Sequence, residues 1–364
     1  MTADMPVCMK NKITISNMSP SVLAAYGLNE KGVTIEPFGS GLINRTWKVA
    51  ADKVYILQQI NQQVFREPAG IAANLRLIAD YLESHHPEYL FVEPIRSVEG
   101  EEMVYSEGDG YYRLFPFVNA SHTIDVVETP GQAYEAARQF GRFTRMLAGM
   151  DAGKLKITIP SFHDLDLRYR QFLAALKEGR QDRIAASDRL IKRALSHAEI
   201  VAQYNTIKTN PAFKLRVTHH DTKISNVLFD AQNKGLCVID LDTVMPGYFI
   251  SDVGDMLRTY LSPVSEEETD MMKILVREDF YKAVVEGYHA EMKDELTAGE
   301  KQHFFYAGQF MIYMQALRFL TDHLLGDVYY GARYEGHNFC RAENQLVLLE
   351  QLMQKPALAK IGLP

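Results

Sequence analysis

The chain has 364 residues and an ordinary composition for a soluble globular protein, with 47% hydrophobic and 23% charged residues. Its length suggests two domains, or one domain with two lobes. The net charge of −7 gives no global positive field, so nucleic acid and anionic membranes are not expected partners. The 3 cysteines lie far apart, and no stretch approaches about 18 consecutive apolar residues. We expect a cytoplasmic enzyme or binding protein.

The first third of the chain is predicted to be rich in β-strands. Runs of alternating or β-branched residues, separated by turn residues, indicate short strands over 33–35, 46–49, 54–60, 101–106 and 111–118. Between the third and fourth strands, residues 66–86 repeat apolar side chains with a helical period. Pro68 stands near the start of this predicted helix.

After Asn119 the predicted structure is mostly helical. Thr129 and Pro130 are typical of a helix start. The helices are expected over 129–147, 163–178, 183–204, 253–260, 267–293, 298–325 and 340–354. We therefore predict an α+β fold with a small β-rich lobe at residues 1–118 and a larger helical lobe at residues 119–364.

The stretch "NVLFDAQNKGLCVID", residues 226–240, predicts a β-hairpin because two short apolar strands surround a polar turn that ends in glycine. Folding it about residue 233 places Asn226 opposite Asp240, with roughly 5 Å between their Cα atoms. An amide oxygen and a carboxylate at that spacing suit Mg²⁺. Asp221 lies in the loop that leads to the same end, where it can serve as a general base.

Taken singly, Asn226 and Asp240 could simply cap the ends of their strands. The whole set is more specific, because an aspartate, an asparagine five residues later, a hairpin and a second aspartate form an arrangement that kinases use. There the first aspartate takes the proton of the acceptor hydroxyl. The other two side chains hold the metal that bridges the phosphates. We therefore expect ATP as co-substrate and Mg²⁺ as cofactor.

Alternatives remain open around this set. Lys223 could contact the transferring phosphoryl group, or it could be a solvated surface lysine. His219, His220 and Asp221 could form the zinc site of a hydrolase, although nearby acidic groups suit Mg²⁺ better and no cysteine assists. We expect His219 to pack behind the loop and to fix its backbone.

Gly39-Ser40-Gly41 lies between two predicted strands, and no helix begins at these glycines. This context predicts a flap over nucleotide phosphates, in which backbone amides, together with Asn44, substitute for positive charge. An ordinary glycine-rich hairpin turn is the alternative.

The third predicted strand lacks the basic residue that a kinase normally carries there. It has Gln58 and Gln59 instead. Gln58 is expected to donate hydrogen bonds to a phosphate without adding charge, and Lys48 or Arg45 could supply the missing charge.

Residues 113–121, "RLFPFVNAS", predict the connection between the lobes. Backbone groups of Pro116, Phe117 and Val118 could bind the polar edge of adenine, with an aromatic ring packed against the base. An apolar core strand is the alternative.

The predicted helix at 298–325 is apolar almost all round, which is typical of a buried helix. Gln315, Arg318 and Asp322 fall on one of its faces, and such buried polar groups need partners or a wet cleft. We expect Arg318 and Asp322 to face a polar, sugar-like acceptor, beside an aromatic wall that includes Tyr329. The alternative is an Arg318–Asp322 ion pair that closes on itself.

Three more aspartates follow Asp240. Asp242 lies two residues after Asp240, so on a strand the two side chains would point to the same face. We therefore expect Asp242 to bind acceptor hydroxyls or to support the metal. Asp252 and Asp255 lie at the start of a predicted helix, where capping is the expected role of at least one of them.

The segments "HHDTKISNVLFD" and "VIDLDTVMPGYFISDVGD" resemble the aminoglycoside phosphotransferase/choline kinase group of small-molecule kinases. More closely, the chain is similar to the bacterial N-acetylhexosamine 1-kinases. The similarity includes "YILQQIN", "RLFPFV" and "ALRFLTDHLLGDVYY" and excludes about the first twelve residues. It implies a two-lobed protein-kinase-like fold and transfer of phosphate from ATP, with Mg²⁺, to the anomeric hydroxyl of N-acetylglucosamine or N-acetylgalactosamine.

By this resemblance Asp221 is the base, and Asn226 and Asp240 bind Mg²⁺. The expected partners are ATP and a small sugar acceptor. Besides the zinc hydrolase, two rival functions remain. One is a kinase for another small alcohol, such as choline, homoserine or an aminoglycoside. The other is a non-catalytic nucleotide-binding module, which the missing third-strand cation favours.

Overall fold

A five-stranded antiparallel sheet forms the amino-terminal lobe of the computed structural model, which describes residues 20–28, 32–39, 41 and 43–361. The strands are β1 (Thr34–Pro37), β2 (Arg45–Ala50), β3 (Val54–Gln59), β4 (Val104–Ser106) and β5 (Gly110–Pro116), in the order β1-β2-β3-β5-β4. The strands expected from residue alternation are confirmed. Ser40 and the first twelve residues lie outside the described part of the chain.

Helices form most of the carboxyl-terminal lobe, which confirms the predicted two-lobed α+β fold. In chain order the helices are α1 (Pro20–Ala25), α2 (Pro68–His85), α3 (Pro130–Met146), α4 (Leu165–Glu178), α5 (Gln181–Ala186), α6 (Asp188–Leu195), α7 (Glu199–Thr209), α8 (Phe249–Tyr260), α9 (Glu278–Met292), α10 (Ala298–Lys301), α11 (Phe304–Leu325) and α12 (His337–Met353). Two small ribbons pair β6 (Arg216–Thr218) with β9 (Met245–Gly247) and β7 (Val227–Phe229) with β8 (Gly235–Val238). Among the described residues, no helix is long and apolar enough to cross a membrane.

Local backbone geometry divides some of the predicted helices. The helix expected over 183–204 is three helices, α5, α6 and α7. The first break lies at Ser187, whose backbone (φ −96°, ψ 6°) leaves the helical region between α5 and α6. The helix expected over 298–325 breaks after α10 and resumes at Phe304. The capping box predicted by Thr297 and Glu300 is present at the start of α10.

The two lobes have separate apolar cores, and α2 belongs to the larger one. Val49, Leu57 and Leu114 are buried in the core of the sheet. By contrast, the apolar face of α2, which carries Ile71 and Leu75, packs into the core of the helical lobe. Burying each such side chain contributes about 1.5–3 kcal/mol. Helix α2 is therefore fixed to the helical lobe.

A buried ion pair anchors the strand that precedes the "HHD" motif. The guanidinium of Arg216 on β6 donates to both carboxylate oxygens of Glu300, at 2.5 and 2.9 Å. Glu300 has no exposed surface, and it also accepts the backbone N–H of Lys214 at 3.0 Å and of Thr297 at 2.9 Å. The end of α10 and the start of β6 are thereby held together.

Glu300→Ala is expected to lower the free energy of unfolding by about 3–5 kcal/mol, because it leaves the buried Arg216 without its partner. Chemical denaturation followed by circular dichroism measures this change. The matched control is Lys282→Ala, which breaks an exposed pair with Glu286 at 3.7 Å and should change stability by less than about 0.5 kcal/mol. Equal effects of the two substitutions would contradict the assigned role of Glu300.

Candidate active site

Two carboxylates from α8 hold the backbone of the loop that follows β6. Asp252 accepts the N–H groups of His219 and His220 at 3.1 and 2.8 Å, and Asp255 accepts the N–H of Thr222 at 2.9 Å. Burial raises the pKa of Asp252 to about 7, although the two hydrogen bonds oppose this shift. The side chains expected to cap the helix thus hold the neighbouring loop, and Asp252 makes no side-chain cap of α8.

The two histidines contact different parts of the lobe. His219 lies edge-on to Phe140 at 5.1 Å between ring centroids, and its Nε2 is 3.0 Å from the carbonyl oxygen of Ile239. This placement agrees with the expectation that His219 packs behind the loop. The Nδ1 of His220 is instead 3.0 Å from the carbonyl oxygen of Thr218. Among the described residues, no three His, Cys, Asp or Glu side chains are arranged to hold a metal ion, so the zinc alternative gains no support.

His220 occupies a backbone conformation that favours glycine, with φ at 67°. Its imidazole fills the space beside Gly247, where an added Cβ would lie 2.4 Å from the histidine Nε2. Burial lowers the pKa of His220 to about 4, so the ring stays neutral near pH 7. His220 therefore shapes the loop through its packing and carries no charge.

Asp221, Lys223 and Asn226 lie close together at the end of this loop. The Nζ of Lys223 is 3.0 Å from Asp221 Oδ1, and Asn226 Nδ2 donates to the carbonyl oxygen of Asp221 at 2.9 Å. The amide nitrogen of Asn226 is thus occupied, whereas its Oδ1 accepts no hydrogen bond from the described residues. This leaves an oxygen that a cation can bind.

The hairpin is present, but its register differs by one residue from the predicted one. Val227 pairs with Val238, and the backbone N–H of Ile239, not that of Asp240, donates to the carbonyl oxygen of Asn226 at 2.8 Å. The turn accounts for the shift, because it is centred before residue 233 and places Phe229 opposite Gly235. A bulge then leaves Leu236 as an extra residue on β8, which brings the pairing beyond it to within one residue of the predicted register. Asp240 follows with φ at 59°, at the same end of the ribbon as Asn226.

Asp240 is exposed to solvent, and the neighbouring carboxylates of Asp242 and Asp221 add negative charge around it. Desolvation, followed by the charges of Asp242 and Asp221, raises the pKa of Asp240 to about 7. Arg113 and Lys223 oppose this shift. Desolvation lowers the pKa of Lys223, but the neighbouring carboxylates outweigh it and the pKa is raised overall. Carboxylates crowded beside a free amide oxygen fit a hard divalent cation.

An arginine that the sequence analysis missed connects the two lobes. Arg113 on β5 donates from Nε and Nη2 to Gln58 Oε1 at 3.1 and 2.8 Å, and its Nη1 lies 2.5 Å from Asp242 Oδ1. The other oxygen of Asp242 accepts from Asn44 Nδ2 at 2.7 Å, and Asn44 Oδ1 accepts the N–H of Asn61 at 3.0 Å. The available signal was a single charged residue within the apolar strand "YYRLFPF".

This arrangement corrects three predicted contacts. Asp242 is 1% exposed and paired with Arg113, so it does not face acceptor hydroxyls. Its other expected role, support of the metal-binding segment, stays a prediction. Gln58 uses its amide oxygen to hold Arg113 and its nitrogen to contact the hydroxyl of Thr46, so it is not directed at a phosphate. The side-chain amide of Asn44 is hydrogen-bonded to Asp242 and to the N–H of Asn61, and so is not directed at a nucleotide.

The residues predicted to contact the nucleotide lie in the loop between β1 and β2 and in the connection between the lobes. Gly39 (φ 81°) and Gly41 are exposed between β1 and β2, as a flap requires, and no side chain crowds them. In the connection between the lobes, the N–H of Phe117 donates to the carbonyl oxygen of Val54 at 3.1 Å. The N–H of Val118 donates to no described residue, so it is the group that remains for a ligand.

The face of α11 that carries Gln315, Arg318 and Asp322 has one arginine without an acidic partner among the described residues. Arg318 donates to Gln315 Oε1 at 3.2 Å and lies over the rings of Tyr329 and Tyr330, at 5.8 and 5.4 Å from their centroids. No carboxylate of the described residues pairs with it. The predicted aromatic wall is thus beside Arg318.

The prediction for Asp322 is corrected. Its two carboxylate oxygens accept the backbone N–H groups of Tyr329 and Tyr330, at 2.7 and 2.9 Å, and one of them also accepts from Asn338 at 3.1 Å. Asp322 is 4% exposed, so it orders the loop after α11 and does not face an acceptor. It also does not pair with Arg318.

Comparison with known proteins identifies the group to which this fold and site belong. Residues 34–295, more than half of the chain, match the model of the phosphotransferase enzyme family, APH. The chain belongs to this family.

Solved structures of kinases share the fold of this phosphotransferase at low sequence identity. An aminoglycoside phosphotransferase from Alicyclobacillus acidocaldarius is 14% identical, with a TM-score of 0.59 over 95% of this chain and 98% of that one. A microcompartment-associated aminopropanol kinase is 15% identical, with a TM-score of 0.61 over 94% and 98%. A choline/ethanolamine kinase family protein from Mesorhizobium loti is 15% identical, with a TM-score of 0.57 over 94% and 97%.

In this phosphotransferase, Asp252→Asn is expected to lower the free energy of unfolding by about 1.5–3 kcal/mol, because an amide nitrogen would face a backbone N–H where a carboxylate oxygen accepted it. Turnover should fall as well, since the loop that carries Asp221 would lose its support. Denaturation and steady-state kinetics measure the two effects.

The control is Asp230→Asn. Asp230 also accepts two backbone N–H groups, those of Gln232 and Lys234 at 2.8 and 2.9 Å, but it lies in the turn at the far end of the hairpin. It should leave turnover unchanged. Wild-type turnover of the Asp252 variant would show that α8 does not support the loop.

Proposed function

We propose that this phosphotransferase is an ATP- and Mg²⁺-dependent kinase that phosphorylates the anomeric hydroxyl of an N-acetylhexosamine, N-acetylglucosamine or N-acetylgalactosamine. The observation that carries the kinase chemistry is the juxtaposition of Asp221, Asn226 and Asp240 at one end of a short ribbon. The sugar acceptor rests on the resemblance of the sequence and on the polar face of α11.

Asp221 orients the acceptor hydroxyl and takes its proton as the hydroxyl oxygen attacks the γ-phosphorus. The new bond joins the sugar oxygen to phosphorus, and the bond between phosphorus and the β,γ-bridging oxygen breaks, which releases ADP. Asn226 and Asp240 would hold Mg²⁺, which when bound neutralises charge on the phosphates. Lys223, 3.0 Å from Asp221, offsets charge between donor and acceptor.

Two parts of the cleft would bind the nucleotide. The exposed amides around Gly39 and Gly41 would contact the phosphates, where backbone N–H groups substitute for positive charge. Backbone groups from Pro116 to Val118 would form hydrogen bonds with the polar edge of adenine. The structure with AMP-PNP of an amicoumacin kinase of the same fold is consistent with this use of the cleft.

The charge of the acceptor side favours a neutral sugar over a cationic acceptor. Arg318 has no carboxylate partner among the described residues and lies against two tyrosine rings. A quaternary ammonium or aminoglycoside would be repelled by this guanidinium, whereas a sugar can accept its hydrogen bonds and pack on the tyrosines. A kinase for another small alcohol is the second candidate, because the chains that share the fold include aminopropanol and choline/ethanolamine kinases.

A non-catalytic nucleotide-binding module is the remaining alternative. The absence of a basic residue on β3 was its main support. Arg113 places a buried cation opposite Gln58, which weakens that support. The grouping of Asp221, Asn226 and Asp240 at one end of the ribbon also favours a catalytic function over binding alone.

Asp221→Asn should reduce phosphate transfer by about 10²–10⁴-fold, because the base that takes the hydroxyl proton is lost while the side chain keeps its shape. Binding of ADP with Mg²⁺ should persist, since the nucleotide is held elsewhere. A coupled ADP-release assay and isothermal titration calorimetry measure the two quantities. Asp230→Asn, remote from the cleft, serves as the control. Substantial turnover by the Asp221 variant would refute its role.

An acceptor screen with ³¹P NMR of the product tests the sugar assignment. N-acetylglucosamine or N-acetylgalactosamine should be the preferred acceptor, and the product phosphorus should couple to the anomeric proton. Choline, homoserine and an aminoglycoside are the comparison acceptors. A product phosphorylated at C6 would remove the 1-kinase assignment, and preference for choline would favour the second candidate.

A further inference from the structure

Arg113 holds a buried positive charge at the place where the two lobes meet. It lies directly opposite Gln58 in the β3–β5 ladder, and its guanidinium carbon is 4.9 Å from the ring centroid of Phe115. Arg113 and its partner Asp242 are each 1% exposed. A desolvated guanidinium is costly unless it is paired and hydrogen-bonded, so the contacts with Gln58 and Asp242 fix its position.

Asp242 joins this arginine to two parts of the cleft. One oxygen faces Arg113, and the other accepts from Asn44, which lies at the end of the glycine loop. In the chain, Asp242 is two residues after Asp240, the proposed metal ligand. One carboxylate therefore links the glycine loop, the centre of the sheet and the metal-binding segment.

The basic residues that the sequence suggested as substitutes are engaged elsewhere or exposed. Lys48 is 3.9 Å from Glu36 and lies 5.3 Å from the ring centroid of Phe117. Arg45 is exposed at the start of β2. Within the described part of the sheet, Arg113 is the cation that is both buried and paired across the lobes.

We propose that Arg113 is a positioning residue that takes the place of the missing third-strand cation. Through Asp242 it aligns the segment of Asp240 beneath the glycine loop, so that the metal and the phosphates are held in register. Outer residues that orient metal ligands in this way typically change metal affinity or activity by about 10- to 100-fold when they are replaced. This inference rests on the proposed nucleotide- and Mg²⁺-dependent function.

The test compares wild-type protein with Arg113→Gln and with the exchange variant Gln58→Arg/Arg113→Gln. Mg²⁺-dependent ADP binding is measured by calorimetry, turnover by ADP release, and folding by thermal unfolding. Arg113→Gln should weaken Mg²⁺-dependent binding and turnover by about 10- to 100-fold. The exchange variant should recover part of both losses, because its guanidinium returns to Asp242 from the opposite strand. Lys48→Gln is the control and should change both by less than about threefold.

A folded Arg113→Gln variant with wild-type ADP binding and turnover would overturn the inference. If that variant does not fold, the exchange variant decides: a folded exchange variant with restored turnover supports the positioning role, and a folded one without it overturns that role. Failure of both to fold would make Arg113 an element of stability alone, which also overturns it. Wild-type protein that binds no ADP with Mg²⁺ would instead refute the proposed function.

Discussion

The site depends on the hydrogen bonds that two carboxylates of α8 accept from the backbone of the loop after β6. Asp252 and Asp255 fix the N–H groups of His219, His220 and Thr222, and the side chains of this loop can then point in different directions. His219 turns inward against Phe140, while Asp221 turns towards the cleft. Because α8 is itself buried among the other helices, the position of the base is set by the core of the lobe.

Electrostatics supports the proposal that a metal and a phosphate bind at the same place. Asp221, Asp240 and Asp242 lie near one another, and Arg113 and Lys223 offset only part of their charge. The remaining negative charge favours a hard cation, and that cation in turn allows polyphosphate to approach a protein of net charge −7. Without it, nucleotide and protein would repel each other. The proposed dependence on Mg²⁺ therefore follows from the charge of the site as well as from its ligands.

Short-range patterns predicted most of the fold, and long-range contacts accounted for the differences. Alternation and helical periods located the sheet and the helical lobe, since these patterns reflect burial along a single element. The hairpin was predicted, but its bulge was not. The apolar pattern of the two strands is the same with or without the bulge, so the pattern does not determine the register. Asp221 and Asn226 are close together in sequence, and the structure brings them into contact.

Partners distant in the chain were not predictable in the same way. Asp242 was expected to bind acceptor hydroxyls or to support the metal, and neither expectation identified its partner Arg113, which lies in the other lobe. Asp322 was expected in the same cleft, but it accepts the backbone N–H groups of Tyr329 and Tyr330, which no side-chain pattern reveals. A polar residue in an apolar segment indicates that a partner exists, without indicating which partner.

The docking of α2 has a consequence for regulation. In many signalling enzymes of two-lobed architecture, activity is switched by swinging the equivalent helix in and out. Here Ile71 and Leu75 are buried in the core of the larger lobe, and Asn74 donates to the carbonyl oxygens of Lys156 and Val244 at 2.9 and 3.0 Å. Displacing α2 would expose the apolar core of the larger lobe, so a movement of this helix between two positions would be costly.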